Sequence, residues 1–316
     1  MLDVTRLTVL VAVARHGSVT AAARALHYAQ PSVSHHLARL EAETGSRLLQ
    51  RVGRGVRLTE AGRLLADRAE EILGRLAAAE AELAAHTGLR SGRVRLAAFP
   101  SALGTFVPVA AAGFATANPG VDLRFIEAEP PEAMRLLRNG EVEVAVVFDH
   151  LGAGAASSGP PGAGSAGGGR SRAGAEAEPA GLRLETLLDE RAFLVTPVDW
   201  AGDRLADHRD RPWIGGCERC RARLLDACAA EGFTPDIRFT TDDYVAVQAL
   251  VAAGMGVTTL PALALAAHRD PRVRVVPAPG PGRRISMAVL GDLPDPPGTA
   301  ELLNHIRSAA GALHPA

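Results

Sequence analysis

The sequence predicts an all-α N-terminal module bearing a short β wing, a long connecting helix, and an α/β C-terminal body. Three observations predict it. Residues 1–59 hold three short stretches with apolar side chains at helical spacing, followed by two β-like arms around Gly53-Arg54-Gly55. Residues 65–86 repeat apolar side chains at alternating intervals of four and three. From Ser91-Gly92 onward, strand and helix patterns alternate.

At 316 residues and 47% hydrophobic, the chain can build more than one core, which excludes disorder throughout. It has no uncharged apolar run of about eighteen residues, and its first apolar stretch follows an acid, Asp3, with no small-residue cleavage site after it. The expected location is therefore the cytoplasm, with no membrane partner. Three cysteines, an odd number, fit a reducing compartment better than a disulfide framework. The net charge of −1 hides an asymmetry: residues 1–59 carry eight arginines against three carboxylates, a net of +5, which leaves −6 for the rest. A small basic module on an acidic body is expected where one part alone meets a polyanion.

The first helix is predicted to start after Asp3, to carry Leu7, Leu10, Val11 and Ala14 on one face, and to stop at Gly17. Ser18 caps a second, Val19 to about His27, whose small Ala22 and Ala23 let another helix cross closely. After a four-residue turn a third runs from about Pro31 to Thr44, with Val33, Leu37 and Leu40 toward the core and Pro31 suited to a first helical position. On this third helix Ser32, His35, His36 and Arg39 fall at i, i+3, i+4 and i+7, rotated away from the apolar stripe. An ordinary solvated face and a nucleic-acid-reading face both fit that pattern, and the neighbouring residues favour the second. Arg51-Val52-Gly53-Arg54-Gly55-Val56-Arg57-Leu58 reads as a wing whose arginines reach phosphates or a minor groove.

From Thr59 the chain reads as one long helix, with Leu65, Ala69, Ile72, Leu76, Ala79, Leu83 and His86 forming a heptad seam. Charged Arg68, Glu70, Glu71, Arg75, Glu80 and Glu82 occupy its other faces, so the narrow seam suits a partner helix better than its own domain. The homodimer this implies would match palindromic DNA half-sites.

In the C-terminal body, strands are predicted near Arg93–Ala98, Val121–Glu127 and Val142–Phe148, with helices near Ala102–Asn118 and Pro131–Asn139. Residues 152–181 contain no Val, Ile, Leu, Phe, Tyr or Trp and read as a flexible surface insertion. Strands near Leu182–Leu188, Ala192–Thr196, Asp236–Thr240, Gly256–Leu260, Val273–Val276 and Ile285–Leu290 follow, with helices near Arg219–Glu231, Asp243–Ala253 and Thr299–Leu313.

Residues 1 to about 88, and less sharply the rest, resemble the LysR-type transcriptional regulators. The resemblance is carried by Gly17-Ser18-Val19-Thr20-Ala21-Ala22-Ala23-Arg24-Ala25-Leu26, Gln30-Pro31-Ser32-Val33-Ser34, Leu40-Glu41, Gly45, Leu48-Leu49-Gln50-Arg51 and Leu58-Thr59-Glu60-Ala61-Gly62, with Leu250 to Val257 and Leu260-Pro261 in the second half. It implies a winged helix-turn-helix DNA-binding domain over 1–59, a linker and dimerisation helix over 60–90, and a two-lobed effector domain like a periplasmic binding protein over 91–316. Lobe I is expected to hold 91–196 and 270–316, and lobe II 197–269, with crossings near Thr196-Pro197 and His268–Pro271. The resemblance puts Thr20, Gln30, Ser32, Ser34, His35 and Arg39 at or near double-stranded DNA, with Ser18 and Pro31 in the same set and Arg51, Arg54 and Arg57 in the wing. His35 and His36 stand where many relatives carry Arg, Lys or Gln, so base readout is not carried over. It also implies dimers paired into homotetramers, an interrupted palindrome near a promoter, RNA polymerase as a further partner, and no cofactor.

Ligands in open α/β sheets collect at the carboxyl ends of strands and at helix N-termini, where amides and the helix dipole favour anions. The candidates for holding a small, anionic effector are therefore Pro100, Ser101 and Ala102, then Glu127 and Ala128, then Phe148, then Gly215, Gly216 and Cys217, and finally Thr241 and Asp242. Ser101 is suited both to capping its helix and to holding a carboxylate. Cys217 and Cys220, one turn apart beside Arg219, Arg221 and Arg223, are read as pocket lining, with a redox-responsive regulator sensing through the pair as the alternative. Cys228 lies eleven residues beyond Cys217, roughly 16 Å along a helix, and cannot join them. No second CxxC or matching histidine spacing supports a metal site, and no GxSxG, P-loop, HExxH or paired-carboxylate motif supports an enzyme.

Overall fold

The computed structural model describes residues 2–52, 55–86, 92–151, 181–291 and 294–313. Arg54 and the expected insertion, Gly181 excepted, lie outside these, as do the side chains of Arg51 and Leu83. The chain divides into two compact units, residues 1–89 with 135–143, and residues 90–134 with 144–316.

In the first unit, α1 (Val4–His16) begins where the Asp3 carboxylate accepts from the Arg6 amide and ends at Gly17, whose φ of 64° is the left-handed cap that glycine adopts without strain. α2 (Val19–Ala25) is capped by Ser18 Oγ, 3.0 Å from the Ala21 amide, and α3 (Gln30–Thr44) has Pro31 in its first turn. Val33, Leu37 and Leu40 of α3 share a core with Leu7, Leu10 and Val13 of α1 and Ala22 and Ala23 of α2. The wing, β1 (Leu49–Val52) paired antiparallel with β2 (Gly55–Leu58), is tied to α3 by Glu41, which accepts from the Leu48 and Leu49 amides at 2.8 and 3.1 Å. Thr59 Oγ1 then accepts from the Gly62 amide at 3.0 Å and opens α4 (Glu60–His86).

The second unit opens with β3 (Arg93–Ala98), α5 (Pro100–Leu103), α6 (Phe106–Ala117), β4 (Asp122–Glu127), the first part of α7 (Pro130–Arg138), whose residues from 135 on belong to the first unit, and β5 (Val144–His150). The single helix expected over 102–118 is two helices, because the Thr105 hydroxyl donates to the Ser101 carbonyl at 2.7 Å where Gly104 already weakens the helix. After β6 (Leu182–Glu190) and β7 (Ala192–Pro197) come β8 (Pro212–Gly215), α8 (Glu218–Ala230), β9 (Asp236–Thr240), α9 (Tyr244–Ala252), β10 (Thr258–Pro261), α10 (Ala262–Ala267), β11 (Val273–Pro277), β12 (Arg283–Leu290) and α11 (Pro297–Ala312). β8 and α10 were not expected: four residues between Arg211 and Gly216, and six after Pro261, are too few to show a period.

Lobe I is a five-stranded sheet in the order β4-β3-β5-β12-β6, parallel among β3, β4 and β5, with β12 antiparallel to β5 and β6. Phe99, Phe106, Phe114, Phe148 and Ile306 fill its core. Lobe II joins an antiparallel set, β10-β7-β11, to the parallel pair β8-β9 through Ile214 and Val257, whose N–H···O bond is 2.9 Å. This pairing corrects the lobe boundaries. β7 and β11 are strands of lobe II, since β7 pairs with both β10 and β11, so the chain crosses at Arg191 and again over 278–282 rather than at 196–197 and 268–271. No helix among the described residues is long and apolar enough to cross a membrane.

Candidate functional site

α3 turns Val33, Leu37 and Leu40 inward and leaves Gln30, Pro31, Ser32, Ser34, His35 and Arg39 exposed, while His36 is half-buried and stacks on Tyr28. One exposed face of a helix thus holds hydroxyl, amide, imidazole and guanidinium groups, the set able to bond both base edges and phosphates. Thr20 is exposed on α2, and Arg57 is exposed on the wing. Ser18 is committed to capping α2, so its hydroxyl serves the fold first.

The heptad seam divides in two. Ala69 is fully buried in the first unit's own core and Leu65 packs against it, whereas Ile72 and Leu76 are 45% and 42% exposed and Ala79 is exposed as well. Ala69 therefore cannot meet a partner helix. The same spacing that pointed to a seam serves the head over its first turns and lies open farther on.

In the second unit, a cleft between the lobes is lined from lobe I by Pro100, Ser101, Glu129 and Arg283, and from lobe II by Gly216, Cys217, Cys220, Thr241, Asp242 and Tyr244. Its volume is about 60 Å³, room for a molecule of a few heavy atoms. Arg283 dominates its floor. The guanidinium lies 4.2 Å from the Phe148 ring centroid and 4.9 Å from that of Phe99, donates to Glu190 at 2.5 Å and donates to Ser101 Oγ at 2.8 Å. Ser101 is thus no helix cap: α5 has none from a side chain, and the hydroxyl accepts from Arg283 instead.

Of the expected cleft residues, Pro100, Ser101, Gly216, Cys217, Thr241 and Asp242 come together. Gly215 stands behind them, its carbonyl accepting from the Thr241 amide at 3.0 Å, and Phe148 lies under Arg283. Ala102 and Ala128 are buried away from the cavity, and Glu127 is exposed. The acid that faces the cleft is Glu129, two residues beyond Glu127 and past the end of β4, where the chain turns into α7.

Burial, and after it the charge on Cys220, pushes the Glu129 carboxyl up to about 7, and its Oε2 is buried with no hydrogen-bond partner among the described residues. Asp242 is raised for the same two reasons in the same order. Cys217 is the N-cap of α8, its sulfur 3.1 Å from that of Cys220 and 3.4 Å from the Cys220 amide. Hydrogen bonding from Cys217 holds the Cys220 thiol well below its ordinary value, with His150 and Arg283 helping; the same bond, and then burial, raises Cys217. The short sulfur–sulfur contact therefore favours the thiolate at Cys220 over Cys217.

These charges bear on the effector. The one guanidinium in the cleft is paired with Glu190, the Cys220 amide in the first turn of α8 is taken by the Cys217 sulfur, and Glu129, Asp242 and Cys220 are all acidic. Among the described residues, the cavity lining holds no cation without an acidic partner. Arg283, Glu190, Glu129, His150 and Tyr244 were missed from sequence. Arg283 and Glu190 sit on strands 93 positions apart and meet through β-register alone, although a charged residue opening an apolar strand was a visible signal.

A family model for the bacterial regulatory helix-turn-helix protein, lysR family, matches residues 4–63, and one for the LysR substrate binding domain matches residues 87–159 and 171–311. The chain belongs to the LysR family. This LysR-type DNA-binding regulator is 30% identical over 302 residues to a protein of Mycobacterium avium named as a probable hydrogen peroxide-inducible genes activator, covering 89% of this chain and 86% of that one. It is 36% identical to the regulator CfxR of Cupriavidus necator over 146 residues, 46% of each chain. Its fold is shared with the LysR family regulator CbnR, at a TM-score of 0.59 and 22% identity over 98% of this chain and 99% of that one. It is shared too with full-length OxyR C199D from Pseudomonas aeruginosa, at 0.62 and 21% identity over 97% and 95%.

Proposed function

We propose that this LysR-type regulator acts as a homodimer that binds an interrupted palindrome near a promoter through α3 and the wing, and that a small, uncharged, hydrogen-bonding effector in the cleft biases the placement of its lobes. The observation that carries the DNA half is the exposed face of α3, where Gln30, Ser32, Ser34, His35 and Arg39 stand opposite the buried Val33, Leu37 and Leu40. Exposed Ile72, Leu76 and Ala79 on α4 support the dimer. Pairing of dimers into tetramers, contact with RNA polymerase, and a cytoplasmic location belong to the same reading. The effector acts only to the extent that it binds one lobe arrangement better than the other.

The test is retention of fragments of the protein's own genome by the purified full chain, followed by fluorescence anisotropy on the retained site. Affinity for that site at least a hundredfold above bulk DNA at the same salt is expected. Equal affinity for every fragment overturns the reading.

A redox-responsive version is favoured by one observation, the 3.1 Å separation of the Cys217 and Cys220 sulfurs inside the cleft. The printed name of the Mycobacterium avium relative is in keeping with it.

A further inference from the structure

A second cavity of the second unit lies beside the two crossings. Arg191 walls it from the first crossing, Pro279 and Pro281 wall it from the second, and Leu205, Leu224 and Ala227 of lobe II line its apolar side. Its volume is about 60 Å³, room for a few heavy atoms. It shares Cys220, Leu260 and Arg283 with the cleft as a common wall, yet it offers a ligand different chemistry. In the cleft the guanidinium is committed to Glu190 and the acidic groups Glu129 and Asp242 face the space. The second cavity has no carboxylate in its lining, and Arg191, Arg223 and His150 stand in its wall.

The hydrogen-bonding capacity of these three is largely unused. Among the described residues neither Arg191 nor Arg223 has an acidic partner, and Arg223 makes one long bond, donated to the Pro281 carbonyl at 3.4 Å. A guanidinium carries five N–H donors in a planar fork, so a carboxylate can take two of them side by side. The His150 Nε2 is buried with no hydrogen-bond partner among the described residues. Arg223 and Ala227 are four residues apart on α8 and so share one face of it, which sets the cationic group one turn from the apolar side. An uncharged apolar ligand would leave the cations unanswered, and a phosphate or sulfate would turn oxygens toward leucine side chains that cannot bond them.

We propose that this cavity is a second ligand site, for a short apolar monocarboxylate whose carboxylate is held by Arg223 and whose hydrocarbon end lies against Leu205, Leu224 and Ala227. Arg191 adds positive charge at the site, and His150 Nε2 supplies one more hydrogen bond. The site does not depend on what the cleft holds. It meets both segments through which the chain passes between the lobes. Arg223 also stands close over the second crossing, since a Cβ built at Gly280, where φ is 96°, would lie 3.0 Å from its terminal nitrogen. A bound carboxylate that engages Arg223 therefore acts on the joint between the lobes, and biases DNA binding to the extent that it favours one lobe arrangement.

The experiment is isothermal titration calorimetry on the full chain with the sodium salts of the straight-chain acids from propanoate to octanoate. The matching primary amides serve as uncharged probes, and anisotropy on the DNA site is read with and without saturating acid. Affinity should rise about fourfold per methylene until the cavity is full and then level off. Each acid should bind about tenfold or more tightly than its amide. Arg223→Gln should abolish that preference and Arg223→Lys should keep most of it. Ala227→Phe, which fills the apolar end and touches no charge, should weaken the acids by about tenfold or more. Far-UV circular dichroism and ligand-free DNA binding establish that each variant is folded. Thr241→Leu, in the cleft, should bind the acids as the wild type does, and saturating acid should change wild-type DNA affinity by about threefold or more. Equal affinity for acid and amide, or a preference that survives Arg223→Gln, overturns the site. Acid binding lost in Thr241→Leu and kept in Ala227→Phe puts the carboxylate in the cleft and overturns it as well. Saturable binding with no change in DNA affinity overturns the coupling to the lobes. None of these outcomes touches the DNA-binding reading.

Discussion

Arg283 and Glu190 form an ion pair, 2.5 Å between Nε and Oε1, with the two side chains only 6% and 0% exposed. They face each other in the β12–β6 register, at the ends of the two lobe I strands that adjoin the crossings, and the other Glu190 oxygen accepts from the Leu263 amide of lobe II at 2.7 Å. One carboxylate therefore ties the floor of the cleft to the start of α10. Glu190→Ala leaves a guanidinium buried without its partner, and a loss of about 3–5 kcal/mol in unfolding free energy is expected. Glu190→Gln keeps the shape but has one acceptor oxygen where the carboxylate uses two, and it removes the counter-charge, so it should cost less than Glu190→Ala yet remain destabilising. Urea unfolding of the full chain, followed by fluorescence of Trp200 and Trp213, measures both. A cost below about 1 kcal/mol for Glu190→Ala would show that the pair is solvated.

Gly282 lies one residue before Arg283, and a Cβ built there would stand 1.7 Å from the Glu190 carbonyl oxygen, itself backbone that cannot swing aside. Gly282→Ala must push β12 away from β6 at the crossing. A destabilisation of about 1–3 kcal/mol is expected, together with weaker coupling of the Arg283 guanidinium to Ser101. The same urea titration checks it, with Gly311→Ala as the control, since a Cβ at Gly311 meets nothing within 4 Å.

Much of this was legible from the residues. Asp3, Gly17 and Ser18 punctuate α1 and α2 as their chemistry requires, and the i, i+4, i+7 apolar stripe of α3 set its exposed face. Strand positions in lobes I and II were legible as well, but their partners were not. β7 has the same apolar run whether it pairs with β6 or β10, and only the three-dimensional register puts it in lobe II. Glu129 escaped for a related reason: a strand pattern marks where β4 ends, not which way the next two residues turn. Ala69 shows the limit of a heptad, since the same spacing serves a helix packed on its own head and a helix packed on a partner.

The wing and α3 should separate in their effects on DNA. Arg57 is exposed on β2, and Arg57→Ala should weaken binding to all sequences and lower the slope of log affinity against log salt by about 0.9. His35→Ala should alter which bases are preferred and leave that slope nearly unchanged. Anisotropy titrations at three salt concentrations on the retained site and on scrambled DNA distinguish the two. An unchanged slope in Arg57→Ala would remove the wing from the interface.

The open half of α4 makes the dimer testable apart from the fold. Ile72→Arg with Leu76→Arg puts two charges on side chains that are 45% and 42% exposed, so the head should stay folded while the dimer dissociates. Ala69→Arg, by contrast, places a charge in the core and should unfold the head. Sedimentation equilibrium and far-UV circular dichroism together read the outcome. A double variant that still sediments as a dimer would show that subunits associate through another surface.

The Glu129 carboxyl makes stability depend on pH in a defined direction. Its folded value of about 7 lies above the ordinary 4.5, so between these values the folded chain binds the proton that the unfolded chain has released. The contribution is fully present below pH 4.5 and is lost as pH rises through 7. The shift corresponds to about 3 kcal/mol before allowance for the partial exposure of the side chain, and about 1–2 kcal/mol after it. Glu129→Gln removes the ionisation, so relative to the wild type it should gain stability between pH 5 and pH 8, with the two melting curves converging at pH 5. Thermal unfolding of both proteins in buffers of equal ionic strength tests this, and curves that run parallel across the range would mean that Glu129 is ionised in the folded chain as it is in water.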